Sequence, residues 1–259
     1  MAASLRAAIE AANGPALGTF VKVPAPEVSE IIARSGFDFV VIDTEHALLS
    51  VRDVYSMIVV YSGLGVLPLV RVSDHGYGDA QRYLDAGAAG ILVPHVSNVD
   101  QAQQVTRQLL FPPAGTRGMG FAGRAGRWGG LPGGRSEYVR YGQQDAVRMA
   151  MIEDAQAVEN IAEILTTDGL DAAFVGPGDL SLSLGVAAGD PALGAAVDTV
   201  ITAAVAAGVP VGTVVSSPED ARRRAEQGCG FLMVGNDTGL IRSAATAALS
   251  SHRAAVTGT

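Results

Sequence analysis

Eight short runs of β-branched and other apolar residues recur along the chain, and this repetition limits the possible folds more than any other feature of the sequence. The segments between the runs have the apolar periodicity of amphipathic helices, and several end in a glycine that closes the last turn. Continuously apolar strands that alternate with helices are typical of a parallel sheet covered by helices. The predicted strands span residues 18–23, 37–43, 66–72, 90–96, 147–153, 170–176, 210–215 and 230–236.

Eight strand–helix units within 259 residues predict a (β/α)8 barrel, a TIM barrel in which residues 1–259 form a single domain. An open, doubly wound sheet is the alternative. A glycine-rich dinucleotide fingerprint after the first strand would favour that alternative, and the segment GTFVKVPAPE has none. Met1 to Gly14 are predicted to form a surface helix, and Asp237 to Ala255 are predicted to form a closing helix.

Composition narrows the classes of partner. The formal net charge of -8 and the isoelectric point near 4.9 argue against a nucleic-acid or anionic-membrane surface, because phosphate groups bind to basic faces. No apolar run approaches the roughly 18–20 residues of a membrane-spanning helix. The single cysteine, Cys229, excludes an internal disulfide and predicts a reducing, cytoplasmic location. A small metabolite is therefore the expected partner.

Charged residues gather where the predicted strands end. The apolar run from Phe39 to Ile42, for example, leads directly into Asp43, Glu45 and His46. These residues could form an ordinary strand-to-helix loop, but the carboxyl ends of barrel strands face one mouth, where enzymes of this fold place their chemistry. We therefore expect the polar residues at the strand ends to converge. They are Asp43, Glu45, His46, Arg71, His95, Glu153, Asp179, Ser216 and Asn236.

Arg71 lies inside a predicted barrel strand, where an arginine must find an anion. One interpretation is an internal ion pair with Asp43 or Glu45. The preferred interpretation is that its planar fork binds a substrate carboxylate.

Glu153 and Asp179 each follow an apolar strand, and adjacent strands would bring the two carboxylates together. Like charges at short range need a cation or a proton between them, and carboxylates with water suit Mg²⁺ or Mn²⁺. Helix capping is the alternative for Asp179. The glycines of VGPGD, Gly176 and Gly178, allow backbone N–H groups to approach an anion. His95 either lines the mouth or is a supporting histidine.

One connection is irregular. Residues 111–138 are rich in glycine and proline and carry Arg117, Arg124, Arg127 and Arg135. Loops of this length in compact folds are usually functional or disordered. The segment is therefore either a flexible solvated loop or a lid or intersubunit segment that brings cations to an anionic substrate.

Several motifs together resemble the HpcH/HpaI class II pyruvate aldolases, also called 2-keto-3-deoxy-acid or 4-hydroxy-2-oxo-acid aldolases. The likeness runs from about Gly18 to Ala248. The resemblance implies a (β/α)8 barrel of the phosphoenolpyruvate/pyruvate type, assembled into a hexamer whose subunits often exchange the last helix. The motifs are GFDFVVIDTEHA, PLVRV, ILVPHV, FPPAGTRGMG, RAGRWG, MIED, FVGPGDLS and FLMVGND.

The resemblance also implies roles for the residues at the strand ends. Glu153 and Asp179 match the ligands of a divalent metal ion, Mg²⁺ or Mn²⁺ with Co²⁺ possible, and no organic cofactor is expected. Arg71 matches the arginine that stabilises the pyruvate enolate, and His46 with Asp43 matches the acid/base. The carboxylate of pyruvate is expected at the main chain of Gly176, Pro177, Gly178 and Asp179. Secondary candidates are Glu45, near the metal-bound waters, His95, and Arg124 of the long loop.

The expected reaction is retro-aldol cleavage of a 4-hydroxy-2-oxo acid to pyruvate and an aldehyde. A CoA-thioester lyase of the citryl or malyl type is one alternative, and a non-catalytic barrel that binds pyruvate and metal is another. Lys22 is the only lysine and so the only candidate for a Schiff-base mechanism, which is not favoured. Met151 stands where many members of the family have glutamine, which places one polar contact near the pyruvate in doubt.

Overall fold

The computed structural model describes residues 4–12, 14–73 and 77–257 and shows a closed barrel of eight parallel strands in chain order. This architecture confirms the predicted (β/α)8 fold and excludes the open sheet. The strands are β1 Ala16–Val21, β2 Phe39–Asp43, β3 Leu67–Arg71, β4 Gly90–Val93, β5 Val147–Ile152, β6 Ala172–Val175, β7 Val211–Val215 and β8 Phe231–Asn236. Seven of them lie within two residues of their predicted bounds, and β4 ends three residues earlier than predicted.

The helices form the outer layer of the barrel. Proline at the first helical position begins several of them, because its fixed φ suits a helix start and its missing N–H needs no acceptor there. The helices are α1 Leu5–Ala11, α2 Pro26–Arg34, α3 Val51–Gly63, α4 Tyr77–Ala86, α5 Val99–Leu109, α6 Gly134–Gln144, α7 Ala155–Glu159, α8 Ile161–Ile164, α9 Pro177–Leu184, α10 Pro191–Ala207, α11 Pro218–Glu226 and α12 Asp237–Thr257. Within the described ranges, none is long and apolar enough to cross a membrane.

The interior of the barrel is filled by aromatic side chains. The rings of Phe174 and Phe231 stack with centroids 6.3 Å apart, and Phe39 packs edge-on against Phe231 at 6.0 Å. Glycine makes room for them: a Cβ at Gly18 would lie 2.4 Å from the ring of Phe39, and one at Gly212 would lie 2.3 Å from the ring of Phe231. The barrel is thus a packed core, and ligands can enter only at its ends.

The N-terminal helix is more than the predicted surface helix. Leu5 is 1% exposed and packs with the residues that fill the barrel interior. Ile9 faces the start of β8 at Gly230. Helix α1 therefore closes the amino end of the barrel and leaves the carboxyl end as the open mouth. Met1–Ala3 and Asn13 lie outside the described residues.

The long connection between α5 and β5 packs at the amino end of the barrel, opposite the mouth. Arg117 is buried and donates to Asp85 at 2.8 Å, and Arg124 donates to the carbonyl oxygen of Ala86 at 3.0 Å. Asp85 and Ala86 end α4 just before β4 begins. The connection is also shorter than predicted, since α6 begins at Gly134. The lid interpretation is therefore wrong for Arg117 and Arg124 with respect to this chain's own mouth.

Candidate active site

Strand register brings three charged residues side by side at the mouth. Asp43 pairs with Arg71 across β2 and β3, and Val21 pairs with Ile42 across β1 and β2, which brings Lys22 level with Asp43. Asp43 is fully buried and Arg71 is 5% exposed. The apolar residues that precede Asp43 and Arg71 form buried strands, and this burial places the two charged side chains inside the barrel. The side chains therefore meet in an environment where charges must be paired.

Arg71 and Asp43 form a bidentate ion pair. Nε and Nη2 of Arg71 donate to the two carboxylate oxygens of Asp43 at 3.0 and 2.7 Å. Burial by itself would raise the pKa of Asp43, but the hydrogen bonds and charge of Arg71 outweigh it, so the pKa lies below its usual value. The structure therefore shows the internal ion pair that the sequence left as an alternative. The fork of Arg71 is occupied by Asp43 and is not open to a substrate carboxylate.

The remaining edge of Arg71 points toward the centre of the mouth. Nη1 lies 2.9 Å from Oε2 of Glu45 and 3.9 Å from the sulfur of Met151. The guanidinium carbon also lies 4.9 Å from the ring centroid of Phe20, which fixes the plane of the group. Arg71 thus presents one positively charged edge in a defined orientation.

Asp43 meets His46 through the backbone and not through the ring. Its Oδ1 accepts the N–H groups of Glu45 and His46 at 3.2 Å each, and its Oδ2 lies 3.1 Å from Nζ of Lys22. The ring of His46 is half exposed, with Nε2 3.8 Å from Oε2 of Glu45. Asp43 therefore holds the turn that carries His46.

A second group of residues lies across the mouth, at the ends of β4, β5 and β6. Oε1 of Glu153 accepts the backbone N–H of His95 at 2.8 Å and lies 3.1 Å from Nδ1 of the same residue. Nε2 of His95 lies 3.2 Å from Oε1 of Glu45. His95 thus links two carboxylates, one from each side of the mouth.

Glu153 retains one carboxylate oxygen without a partner. Its Oε2 is buried and has no hydrogen-bond partner among the described residues. Burial raises the pKa of Glu153, and although the N–H and ring of His95 oppose this, the charges of Glu45 and Asp179 raise it further. A Cβ at Gly176 would lie 2.9 Å from this oxygen, so only glycine leaves the space open. A buried carboxylate with a free oxygen beside a second acid is an incomplete cation site.

Asp179 lies in the first turn of α9, which begins at Pro177 with Gly176 as its N-cap. The N–H groups of Gly178 and Asp179 have no intrahelical acceptor, because they belong to that first turn. The turn therefore presents N–H donors and a carboxylate to the mouth, next to Glu153.

The charges at the mouth do not balance. Two cations face four carboxylates, which leaves a formal excess of two negative charges when the histidines are neutral. The residues are Lys22, Arg71, Asp43, Glu45, Glu153 and Asp179. No group of three or more histidine, cysteine, aspartate or glutamate residues with metal-ligand geometry occurs in the described parts of the chain. Any divalent ion at this site would therefore need water or substrate oxygens to complete its shell.

One candidate from the sequence, Arg124, lies at the opposite end of the barrel. Ser216 and Asn236 lie at the ends of β7 and β8 and contact the helices that follow: the backbone N–H of Ser216 donates to Asp220 at 3.2 Å, and Oδ1 of Asn236 accepts from Thr238 and Gly239 at the start of α12.

The sequence does not reveal the structural role of Lys22, nor that of Asp237, which supports the backbone at Lys22 from outside the group of charges at the mouth. The sequence marks Lys22 only as a candidate for a Schiff base, whereas in the structure its amine lies 3.1 Å from Oδ2 of Asp43. Asp237, fully buried, accepts the N–H groups of Lys22 and Val23 at 2.8 and 2.9 Å. A closed barrel predicts this contact, because closure pairs β8 with β1 and so places Asp237, which follows β8, beside Lys22, which follows β1.

Known proteins are similar to this chain in sequence and in structure. The model of the HpcH/HpaI aldolase/citrate lyase family matches residues 16–244. A hydroxypyruvate/pyruvate aldolase of Delftia acidovorans is 35% identical over 93% of this chain and 89% of that protein. A 4-hydroxy-2-oxo-heptane-1,7-dioate aldolase of Escherichia coli is 33% identical over 94% of this chain and 92% of that protein. The crystal structure of a family member from Burkholderia cenocepacia J2315 superposes with a TM-score of 0.88 at 30% identity, covering 96% of this chain and 98% of that one.

Proposed function

The chain belongs to the HpcH/HpaI aldolase/citrate lyase family, and from that premise we propose that it is a carbon–carbon lyase of the class II pyruvate aldolase type. The proposed reaction is reversible cleavage of a 4-hydroxy-2-oxo acid to pyruvate and an aldehyde. The observation that carries this proposal is the open side of the mouth, where Glu153 keeps a buried, unpartnered oxygen beside Asp179 and opposite the fixed edge of Arg71.

A class II aldolase implies a divalent metal ion, and the residues present fit one. Glu153 and Asp179 would hold it, because one has a free buried oxygen and the charges of the mouth leave an excess matched by a single divalent cation. Oxygen donors suit Mg²⁺ or Mn²⁺, with Co²⁺ as a further candidate. When bound, such an ion supplies positive charge to the oxygens of the 2-oxo acid.

The chain's own residues provide proton transfer and orientation. Cleavage requires removal of the proton from the 4-hydroxyl group, and the half-exposed ring of His46 is the proposed base at the mouth. The fixed Nη1 edge of Arg71 is proposed to stabilise negative charge on the enolate oxygen. The first-turn N–H groups of Gly178 and Asp179 are proposed to bind the carboxylate of the 2-oxo acid.

Asp43 has a supporting role in this proposal. It orients Arg71, Lys22 and the turn before His46 through several contacts at once. A carboxylate that accepts this many hydrogen bonds has a lowered pKa and is poorly suited to carry a proton. We therefore propose that Asp43 positions the catalytic groups while His46 transfers the proton.

The exposed surface of the C-terminal helix α12 suggests how the chain assembles. Large apolar residues of α12 remain exposed, with Leu249 at 57% and Val256 at 83%. We propose that this helix packs against another copy in a hexamer, which mass photometry would detect as a particle of six chains. A dominant monomer would contradict this.

The single cysteine supports the further proposal of a cytoplasmic location.

A panel of aldehydes incubated with pyruvate tests the function. Products are identified by mass, with Mn²⁺ or Mg²⁺ added or after chelation and dialysis. We expect adducts of pyruvate with at least one aldehyde, lost on chelation and restored by metal. Absence of any adduct from the whole panel would contradict the aldolase proposal, and activity that survives chelation would contradict the role of the metal.

A further inference from the structure

The loop after β4 is fastened to the end of β5 at two successive residues. The backbone N–H of His95 donates to Oε1 of Glu153 at 2.8 Å, and the N–H of Val96 donates to the carbonyl oxygen of Met151 at 3.3 Å. The loop after β4 therefore holds Glu153 at the position where β5 ends.

This fastening requires an unusual backbone conformation. His95 has a φ of 56°, in the left-handed region that non-glycine residues seldom adopt. Residues held in that region cost free energy, and they persist where the surrounding structure requires them. Here the turn aims both the N–H group and the ring of His95 at Glu153.

The ring extends the contact to the other side of the mouth. Nδ1 lies 3.1 Å from Oε1 of Glu153 and Nε2 lies 3.2 Å from Oε1 of Glu45, while Oε2 of Glu45 lies 2.9 Å from Arg71. Arg71, Glu45, His95 and Glu153 thus form a continuous row. Both nitrogens of the ring face carboxylate oxygens, so neither is directed at an empty position.

We propose that His95 is a positioning residue for the metal site. It occupies Oε1 of Glu153 from two directions and thereby presents the buried, unpartnered Oε2 as the ligand atom. It also sets the distance between Glu45 and Glu153 across the mouth. This inference rests on the proposed function, because it takes Glu153 to be a metal ligand. Residues that orient a ligand in this way typically contribute 10- to 100-fold to metal affinity, on the order found for second-shell partners in general.

Two substitutions separate the ring from the backbone. His95→Gly removes the ring but accepts a positive φ, so the N–H contact with Glu153 is retained. His95→Asn also tolerates the left-handed conformation, and its shorter amide reaches one carboxylate at most. His252→Asn is the matched control, because His252 lies on exposed α12 and contacts Ala248 of the same helix.

The measurement is the dissociation constant for Mn²⁺, obtained by titration with electron paramagnetic resonance detection at fixed pH. We expect roughly 10- to 100-fold weaker binding for His95→Gly, an intermediate loss for His95→Asn and no change for His252→Asn. The melting temperature of each metal-free variant should stay near that of the wild type, since the side chain of His95 is 57% exposed and belongs to no hydrophobic core cluster. A changed visible spectrum of the Co²⁺-loaded His95→Gly protein would report the altered ligand orientation.

The outcomes separate this inference from the proposed function. If the wild type does not bind Mn²⁺, the proposed metal site is wrong, and the role of His95 falls with it. If the wild type binds Mn²⁺ and His95→Gly binds it within twofold, the inference is overturned while the aldolase proposal stands. An equal loss of affinity in His252→Asn would likewise overturn it.

Discussion

The two sides of the barrel mouth differ in how fully their charges are paired. On the β1–β3 side, the carboxylate of Asp43 accepts from Arg71, from two backbone N–H groups and from Lys22. On the β5–β6 side, Glu153 retains a buried oxygen without a partner and lies close to the charge of Asp179. The protein alone pairs the carboxylate of Asp43 on the first side, which we call the complete side. It leaves an oxygen of Glu153 unpaired on the second side, which we call the incomplete side.

This difference separates a structural arrangement from a binding arrangement. Pairing fixes Arg71 and the turn before His46, so their positions do not depend on a ligand. The unpaired carboxylates lower the stability of the ligand-free protein, because a buried charge without a partner is costly. A ligand that supplies the missing positive charge recovers that free energy. The complete side therefore orients the catalytic groups, and the incomplete side provides the affinity for a cation.

The largest expected effect lies on the incomplete side. Glu153→Gln removes the charge that would hold the metal, and we expect turnover to fall by about 1,000-fold without loss of stability in the metal-free protein. Steady-state kinetics in saturating Mn²⁺ and a thermal melt measure the two quantities. Glu159→Gln, at an exposed position of α7, is the control and should change neither. Turnover within tenfold of the wild type for Glu153→Gln would remove the contrast between the two sides.

On the complete side, loss of one partner should damage the fold. Asp43→Asn removes the carboxylate from the Nε and Nη2 fork of Arg71 and leaves Glu45 as its anionic partner. Removal of one member of a buried ion pair typically costs about 3–5 kcal/mol. Urea denaturation measures the free energy of unfolding. Asp53→Asn, which disturbs the exposed capping box of α3, should cost only about 1 kcal/mol. A loss of similar size in both variants would show that the Asp43 pair is not a structural element.

A gentler change of the same pair tests what the fork contributes. Arg71→Lys keeps a positive charge but loses the paired donors, so the orientation of the remaining edge is lost. We expect kcat to fall by about 100-fold, with a cost to stability of only about 1–2 kcal/mol. Kinetics and denaturation on the same preparation compare the two. A protein that unfolds while its folded fraction remains fully active would assign Arg71 to structure alone.

The pH dependence of stability should have opposite signs on the two sides. The pKa of Asp43 is lowered in the folded protein, so its contribution is present at neutral pH and is lost as the pH falls through the folded value. The pKa of Glu153 is raised, so the folded state is penalised as the pH rises above the ordinary glutamate value near 4.5.

Melting curves of the chelated protein test this sign. Glu153→Gln should be more stable than the wild type at pH 7, and the difference should shrink as the pH approaches 4, where the glutamate is protonated in both states. A difference independent of pH would show that the charge of Glu153 is not the cause.

The smallest effect is expected at Lys22. Its amine is partly exposed and Asp43 keeps Arg71 as a partner, so Lys22→Met should lower the free energy of unfolding, measured by urea denaturation, by about 1 kcal/mol or less.

Treatment of the wild type with pyruvate and borohydride should leave its mass unchanged. A stable adduct on Lys22 would replace the metal mechanism with a Schiff base.

The sequence alone determined the fold and most of the membership of the site. Strand and helix periods are local properties, and the closing helix predicted over Asp237 to Ala255 is observed as α12, which begins at the same residue. Their eightfold alternation leaves few compact solutions other than a closed barrel, which in turn places residues such as Arg71 and Glu153 at one mouth.

Only the tertiary structure decided which charges pair. Asp43, Glu45 and Glu153 look alike in sequence, each an acid after an apolar strand. Register and burial gave Asp43 to Arg71 and left Glu153 with a free oxygen. The same holds for the arginine-rich connection, whose composition does not encode the end of the barrel against which it folds. Pairing and placement depend on contacts between residues far apart in the chain, and local patterns do not specify such contacts.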